Sequence, residues 1–457
     1  MNARRLFSAW ALLIATALAP AASAQQPKVN LTKPIAKAVA QAVIGAAPKP
    51  SDPTKEKVIA ITGAKVYTGD GEPIEDATVV ITGDKITSVA KGTTAPAGAE
   101  TISGKGLIVT PGLIDPLTQI GLTEVELEST ANDEAQSRST DRIRSAYRAS
   151  DAYNPQSVVI PVSRMGGLTS VGVVPKGSLI SGQSAWADLI GETPADALAA
   201  APLALHVHLE IGADPQGGSR GAQVRAVREA FDDARFFQKN KAAWERNQSR
   251  PFSASRLDLE ALTLAFAPAK KGGQKLPVVF HVNRASLILS ALAVAKEFDL
   301  APIIAGGAEA WRVRATLAKA KVPVIVYPLV AGPESFDMLG AREDNAALLH
   351  AANVPVAISS FETHNARKLR QVAGNAVRAG LPHTAAIAAL TKVPAEAFGM
   401  ADRYGTLAPG KIANLVIWTG DPLELDTRPT AVFIRGKKLP LQSRQTDLFK
   451  KYRANVR

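Results

Sequence analysis

The 457-residue sequence contains no cysteine. This excludes disulfide bonds, a thiol nucleophile and any cysteine-ligated zinc or iron–sulfur centre. Aromatic residues make up only 5% of the chain and histidine occurs six times, whereas hydrophobic residues reach 46% and charged residues 21%. That balance is typical of a globular protein with a large core. Beyond the N-terminal segment no apolar run approaches the ~18 residues of a membrane span, so we expect a mature protein without a transmembrane segment.

The first 24 residues resemble an export signal. Arg4 and Arg5 precede an apolar run at residues 6–18, and small residues at 22–24 suit a signal peptidase. We therefore expect cleavage after Ala24 and a periplasmic or secreted mature chain. Residues 25–56 are rich in Ala, Pro and Lys, which predicts a linker or loosely attached arm.

The formal net charge of +12 is concentrated near the C-terminus. Between Arg435 and Arg457 there are eight basic residues against Asp447 alone. Only two aromatic residues accompany the basic tail at 441–457, and no nucleic-acid-binding motif is present. We interpret the tail as a solvated basic terminus and expect no nucleic-acid partner.

Hydrophobic periodicity divides the rest of the chain into three parts. Residues 57–106 alternate with period two and contain turn signals, and residues 405–440 carry two further short strands. We expect these parts to form one small β-sandwich, since neither has enough strands alone. In residues 107–404 seven apolar strand-like runs alternate with helical patterns, and residues 177–189 offer an eighth. The predicted fold is therefore an α/β (β/α)8 TIM-like barrel flanked by that sandwich, with its chemistry at the C-terminal ends of the strands.

Two motifs carry a family resemblance. Pro111, Gly112, Leu113, Ile114 and Asp115 end the first predicted barrel strand, and residues 405–416 read GTLAPGKIANLV. Both resemble the amidohydrolase superfamily, in particular its exported imidazolonepropionase-like branch, over nearly the whole mature chain. The resemblance implies a TIM barrel and a metal-dependent hydrolase that cleaves non-peptide C–N bonds of amides or cyclic amides.

The residues expected to ligate zinc in that family are largely replaced. The family has a His-x-His pair where this chain has Leu117 and Gln119, a histidine where it has Gly306, and an aspartate where it has Phe361. Only His281 matches. Glu362 stands one residue beyond the aspartate position, where it faces the wrong side of the strand end unless the backbone bulges. We therefore expect no metal ligands and no bound cofactor.

His206 and His208 form the only His-x-His pair in the chain. On a strand both rings point the same way. Two interpretations stay open: a relocated metal site together with His281, or hydrogen-bonded histidines on an interior strand.

The remaining polar residues near strand ends give weak candidates. His281, Glu362 and His364 are candidate catalytic residues, and His281, Arg284 and Glu309 are candidate ligand-binding residues. Glu362 with His364 suits an acid–base pair, but a cap for the following helix, with Asn365, is the favoured interpretation.

Two functional hypotheses follow. One is an exported amidohydrolase-family hydrolase of C–N bonds with impaired or metal-independent activity. The other is a pseudoenzyme: a non-catalytic homologue that binds a small-molecule ligand, or a subunit that pairs with an active paralogous amidohydrolase or with itself. Fold alone does not decide between them.

Overall fold

A computed structural model describes residues 57–135, 141–210, 212–246, 248–268 and 274–453. The predicted signal peptide (1–24) and the predicted linker (25–56) lie outside the described residues, as do residues 454–457 of the basic tail.

The strands occur in three sheets. In chain order they are β1 (Val58–Val66), β2 (Ile74–Thr82), β3 (Lys85–Lys91), β4 (Glu100–Ser103), β5 (Ile108–Pro111), β6 (Leu113–Thr118), β7 (Leu168–Val173), β8 (Ile180–Gln183), β9 (Ala185–Asp188), β10 (Leu198–Ala200), β11 (Leu205–His208), β12 (Pro277–Val282), β13 (Ala301–Gly306), β14 (Val324–Val326), β15 (Val356–Ile358), β16 (Leu415–Trp418), β17 (Pro429–Ile434) and β18 (Lys437–Leu439).

The helices cluster between the later strands. They are α1 (Ala149–Ala152), α2 (Val159–Arg164), α3 (Pro194–Ala197), α4 (Arg220–Glu245), α5 (Arg256–Thr263), α6 (Ala285–Glu297), α7 (Arg314–Ala320), α8 (Asn345–Ala351), α9 (Leu369–Arg378), α10 (His383–Ala389), α11 (Lys392–Ala397) and α12 (Arg444–Tyr452). Short 3-10 helices span Ser129–Ala131, Leu264–Phe266, Ala310–Val313 and Ala366–Lys368.

The N-terminal and C-terminal strands form one eight-stranded sheet. Its order is β18-β17-β16-β5-β1-β2-β3, with β4 paired to β1. The two parts of the chain meet where β16 pairs antiparallel with β5, which places Leu415 opposite Pro111 and Trp418 opposite Ile108. Alternate residues of these strands bury one shared core that includes Ile61 and Phe433. The expectation that the terminal segments share one sheet system is confirmed.

The strands between them form the barrel. The sheet β15-β14-β13-β12-β11-β8 is parallel from β11 to β15, and β6 pairs parallel with β7 in the sheet β10-β9-β7-β6. The fold class predicted from the sequence is thereby confirmed, and the C-terminal ends of the parallel strands lie together at one end of the barrel.

One strand segment of the barrel runs antiparallel to the strands on either side of it. β8 and β9, separated only by Ser184, pair antiparallel with β11 and β7 respectively, so this extended segment lies between those two strands. It is the eighth strand predicted in residues 177–189. Residues 174–179 connect β7 to β8, and a parallel crossover needs a dozen or more residues. The short connection therefore reverses the strand.

Buried hydrogen bonds join the last barrel strand to the first. The Ser359 hydroxyl, directly after β15, donates to Asp115 Oδ1 of β6 at 2.5 Å. The Ser360 hydroxyl and backbone N–H also donate to this carboxylate. Burial raises the pKa of Asp115 to about 6, although the hydrogen bonds from the two serines oppose the rise.

A second buried carboxylate joins the barrel to the eight-stranded sheet. Asp188, at the end of β9, accepts hydrogen bonds from Ser170 at 2.7 Å, Asn414 at 3.0 Å, Tyr404 at 3.0 Å and Arg435 Nε at 2.7 Å. Four donors compensate the desolvation of one buried charge. The two parts are therefore fixed together by a charged network as well as by apolar packing.

The helix that follows His364 and Asn365 shows which local sequence signals are confirmed and which are wrong. Gly380 follows α9 with φ +103°, as expected of a glycine that ends a helix. The predicted N-terminal cap is wrong: Asn365 makes no capping hydrogen bond through its side chain, and a 3-10 turn precedes α9.

No helix among the described residues is both long and apolar enough to cross a bilayer.

Candidate functional site

A pocket of about 440 Å³ opens at the C-terminal ends of the barrel strands. Most of its lining comes from the last residue of a strand or from the residues that follow it. Its polar and charged lining residues are Gln119, Lys176, His208, Glu210, His281, Asn283, Tyr327, Glu334, Arg342, Asn345, Ser360 and Glu362, and the apolar ones include Leu117, Val174, Val326, Met338 and Phe361. The pocket lies where sequence analysis predicts the site.

Three histidines form a compact cluster, and two of them, His208 and His281, line this pocket. His206 Nδ1 lies 3.0 Å from His281 Nε2, and the His208 ring stacks on the His281 ring with centroids 4.1 Å apart and planes 13° apart. The register explains the geometry, because β11 and β12 are parallel with His208 opposite His281. His206, two residues earlier on β11, points to the same face.

The cluster is held in the neutral state. Burial lowers the pKa of His206 and His281 well below the usual range, and the neighbouring histidines lower it further. Burial lowers the pKa of His208 to about 4, assisted by the positive charges of Lys176 and Arg144. His208 Nε2 also lies 3.0 Å from the Ser181 hydroxyl. The rings therefore act as hydrogen-bonding and stacking groups near neutral pH.

The positions that hold zinc in the family do not fit a metal here. Leu117 is 2% exposed and offers no donor atom. At Gly306 an added Cβ would lie 2.5 Å from Asn283 Oδ1, so a histidine cannot take that place without displacing the amide. Phe361 packs edge-on against Tyr327 with ring centroids 6.4 Å apart. Among the residues described, no group of three or more His, Asp, Glu or Cys side chains is arranged to hold a metal ion.

The relocated metal site also lacks support from the geometry. His206 directs Nδ1 at the nitrogen of His281, while His208 presents its ring face to the same residue. Nitrogens that ligate one ion must converge on it rather than pair with each other. The interpretation of hydrogen-bonded interior histidines fits the cluster.

Two of the five candidate site residues lie in the pocket. His281 and Glu362 line it, and Glu362 does so because Phe361 adopts φ +54°, which turns the backbone after β15. In a regular strand the side chains of residues 361 and 362 would point to opposite faces. The left-handed backbone at Phe361 changes the chain direction and removes that alternation. Phe361 and Glu362 therefore both face the pocket.

The other three candidates lie outside the pocket lining. Arg284 is the N-terminal flanking residue of α6 and is half-buried. The Glu309 carboxylate accepts hydrogen bonds from the backbone N–H of Ala285 at 3.0 Å and of Gly340 at 2.7 Å, so it fixes the start of α6 and a loop. His364 is exposed. The structure thus does not bring Glu362 and His364 together in one site.

Sequence reasoning missed a polar pair on the neighbouring strand ends. Asn283, directly after β12, donates from Nδ2 to Glu210 Oε1 at 2.7 Å, and its Oδ1 accepts from the backbone N–H of Ala308 at 3.2 Å. Burial and the charge of Asp337 raise the pKa of Glu210. Glu210 and Asn283 each follow an apolar strand in the sequence, and this position was the signal that could have identified them as pocket residues.

The charges of the pocket are not balanced by one another. Both cations of the lining interact with carboxylates that do not line it: Arg342 forms two hydrogen bonds with Asp344, one of them 2.7 Å long, and Lys176 lies 3.7 Å from Glu134. Of the three lining carboxylates, Glu362 and Glu334 both act on Tyr327, whose pKa is raised by burial and further by these two negative charges.

The sequence comparisons find similarity to one family over part of the chain. The model of the amidohydrolase family matches residues 334–439 of the chain. A curated relative, amidohydrolase tasK of Hapsidospora irregularis, is 32% identical over 98 residues. That alignment covers 21% of this chain and 10% of the relative, so the chain spans a small part of that relative's length.

Solved structures of similar fold include an amidohydrolase and a prolidase. An amidohydrolase from Thermotoga maritima MSB8 has a TM-score of 0.74 at 24% identity and covers 84% of this chain and 99% of its own. A prolidase complexed with N-methylphosphonate-L-proline has a TM-score of 0.51 at 17% identity and covers 84% of this chain and all (100%) of its own. These similarities show the fold.

Proposed function

We propose that this chain is a member of the amidohydrolase superfamily that binds a small organic ligand in the barrel pocket without metal-assisted hydrolysis. The partial family match and the similar fold support this proposal. The observation that supports this proposal is a pocket at the strand ends in which the family's metal-ligand positions are occupied by Leu117, Gly306 and Phe361. Family hydrolysis depends on a metal that lowers the pKa of a bound water. With His281 as the single matching ligand, the pocket binds a ligand but does not activate water through a metal.

The histidine cluster supports binding rather than catalysis. A general base needs a free lone pair directed at the proton it removes. His281 Nε2 is engaged with His206, and both pKa values are lowered well below the usual range. The rings of His208 and His281, which line the pocket, supply a neutral, polarisable surface for the ligand.

The lining favours a ligand with a cationic group. Glu210, Glu334 and Glu362 line the pocket, while its two cations are already matched by carboxylates outside the lining. The aromatic rings of Tyr327 and Phe361 stand beside Glu362, and ring faces and carboxylates both attract organic cations. A volume of about 440 Å³ suits a small molecule.

The place of action is proposed from the sequence. The signal-like residues 1–24 direct the chain out of the cytoplasm, so we place ligand binding in the periplasm or outside the cell.

Calorimetric titration with three matched compounds tests the ligand class. Benzylamine, benzyl alcohol and benzoate share one ring and differ in charge. We expect benzylamine to bind at least about tenfold more tightly than the alcohol, and Glu362→Gln to remove most of that preference. Glu72→Gln, at an exposed residue outside the pocket lining, is the matched control. Equal or tighter binding of the alcohol or benzoate, or no binding of any of them, contradicts a cation-binding pocket.

A separate measurement tests the absence of metal-assisted hydrolysis. The protein is incubated with Zn²⁺, desalted, analysed for metal and assayed against N-acyl amino acids and cyclic amides. We expect metal well below one equivalent per chain and no zinc-dependent hydrolysis. One tightly held equivalent with zinc-dependent turnover would overturn the proposal whatever the benzylamine result.

A further inference from the structure

The C-terminal helix α12 lies on the surface with its whole length uncovered. None of its residues is buried. Leu448 is 43% exposed, Phe449 63% and Tyr452 50%. At ~100° per residue these three side chains occupy an arc of about 100°, so they form one apolar stripe along the helix. A stripe of this kind, exposed on a helix, indicates an interaction surface.

Local capping interactions and the placement of charges stabilise α12. Ser443 and Thr446 make a capping box, with the Ser443 side chain accepting from the Thr446 N–H and the Thr446 side chain accepting from the Ser443 N–H. Asp447 lies in the first turn and Lys450 and Lys451 lie in the last. Both charge placements stabilise the helix dipole. These local interactions stabilise α12 while its apolar stripe stays exposed.

Basic side chains flank this stripe. The Arg453 guanidinium lies 5.8 Å from the Phe449 ring centroid and the Lys451 ammonium 5.3 Å from that of Tyr452. Lys437 and Lys438 of the edge strand β18, which precedes α12 in the sequence, are also exposed. Asp447 is the single acidic residue of the helix. Positive charge thus borders an apolar centre, and this pattern matches the interface of a membrane with anionic headgroups.

We propose that α12 binds the surface of an anionic phospholipid bilayer, with Leu448, Phe449 and Tyr452 in the headgroup–acyl boundary and the basic side chains on the phosphates. Charge complementarity selects this occupant. A second copy of the chain packed on the same face would bring its own Lys451 and Arg453 against those of the first, which repels two like surfaces. The binding is peripheral, because nine residues rest on a bilayer and do not cross it.

Vesicle co-sedimentation of the chain from Gln25, the expected mature form, tests this proposal. The vesicles contain either phosphatidylcholine alone or equal parts of phosphatidylcholine and phosphatidylglycerol. We expect binding to the anionic vesicles only, weakened as salt rises from about 0.1 M to about 1 M because screening reduces the attraction. Equal binding to both vesicle types would overturn the proposal.

Paired variants locate the binding surface. The triple variant Leu448→Ser, Phe449→Ser and Tyr452→Ser, and the double variant Lys451→Glu and Arg453→Glu, should each lower the partition coefficient at least about tenfold. Since α12 has no buried residue, neither set disturbs a core. Unchanged binding in both sets contradicts the proposal.

The matched controls change the same chemistry elsewhere. Leu127→Ser with Leu425→Ser removes exposed apolar residues, and Lys91→Glu with Lys105→Glu reverses exposed charges. Both controls should bind vesicles like the wild type, and an equal loss would show a general surface effect instead. Two other outcomes would overturn the proposal if the chain does not bind vesicles. Self-association without lipid that the α12 variants abolish would assign the surface to a second copy of the chain. Binding to a DNA oligonucleotide that the same variants abolish would assign it to nucleic acid.

Discussion

Asp115→Asn tests whether the carboxylate that joins β6 to β15 is a source of pH-dependent stability. Asp115 is fully buried and accepts hydrogen bonds from Ser359 and Ser360. Asparagine has nearly the same shape but does not ionise. The substitution therefore removes the titration while leaving the packing of the barrel interior largely intact.

The size of the effect follows from the change in proton affinity. Burial raises the pKa of Asp115 from 3.8 to about 6. The folded protein thus holds the proton more tightly than the unfolded chain, and the resulting stability is present below pH 3.8 and lost as the pH rises through about 6. At about 1.4 kcal/mol per tenfold change in proton affinity, the loss is about 3 kcal/mol.

Urea denaturation of wild type and Asp115→Asn between pH 4 and pH 7.5 measures this loss. The stability advantage of the wild type over the variant should shrink by about 2 kcal/mol across that range, since part of the effect is already lost at pH 4. Ser359→Ala removes a hydrogen bond that favours the ionised carboxylate, so its pH-dependent loss should exceed that of the wild type. A wild-type advantage that stays constant with pH would refute the assignment of a raised pKa to Asp115.

Three further predictions concern other buried groups. Because burial lowers the pKa of His208 to about 4, the stability advantage of the wild type over His208→Gln should shrink by about 3 kcal/mol as the pH falls from about 6.5 to about 4, measured by urea denaturation. Arg435→Leu leaves Asp188 without its cationic partner and should lower the unfolding free energy by about 3 kcal/mol; a loss below about 1 kcal/mol would contradict the importance of that pair. Gly306→Ala should destabilise more than Gly71→Ala in thermal unfolding, since both have positive φ but only Gly306 would bring a Cβ against a neighbouring side chain; equal shifts would show that backbone strain alone accounts for the effect.

The barrel was predictable because its strands are buried on both faces. Runs such as Pro277–Val282 and Ala301–Gly306 are nearly continuous apolar segments, and helices separate them along the chain. The reversed direction of Ile180–Gln183 was missed because a strand's burial pattern carries no direction. Only the length of the connection at residues 174–179 held that information.

The contacts that join distant segments were not predictable in the same way. Asp188 meets Arg435 across 247 positions and Asn414 across 226 positions of sequence. Neither periodicity nor local propensity encodes which donor reaches a buried carboxylate over such separations. Likewise Glu309 follows a strand end, as a site residue would, yet its carboxylate binds the backbone N–H of Ala285. Its role depends on where α6 begins in space.

The residues at the family's metal-ligand positions make specific contacts with neighbouring side chains of the pocket. Asn283 fills the space in front of Gly306 and holds Glu210 through the same amide. Phe361, at φ +54°, packs against Tyr327 and turns Glu362 into the pocket. A histidine at 306 would have to displace Asn283 and thereby release Glu210. Restoring a metal site therefore requires concerted changes on several strands, whereas ligand binding uses the side chains already in place.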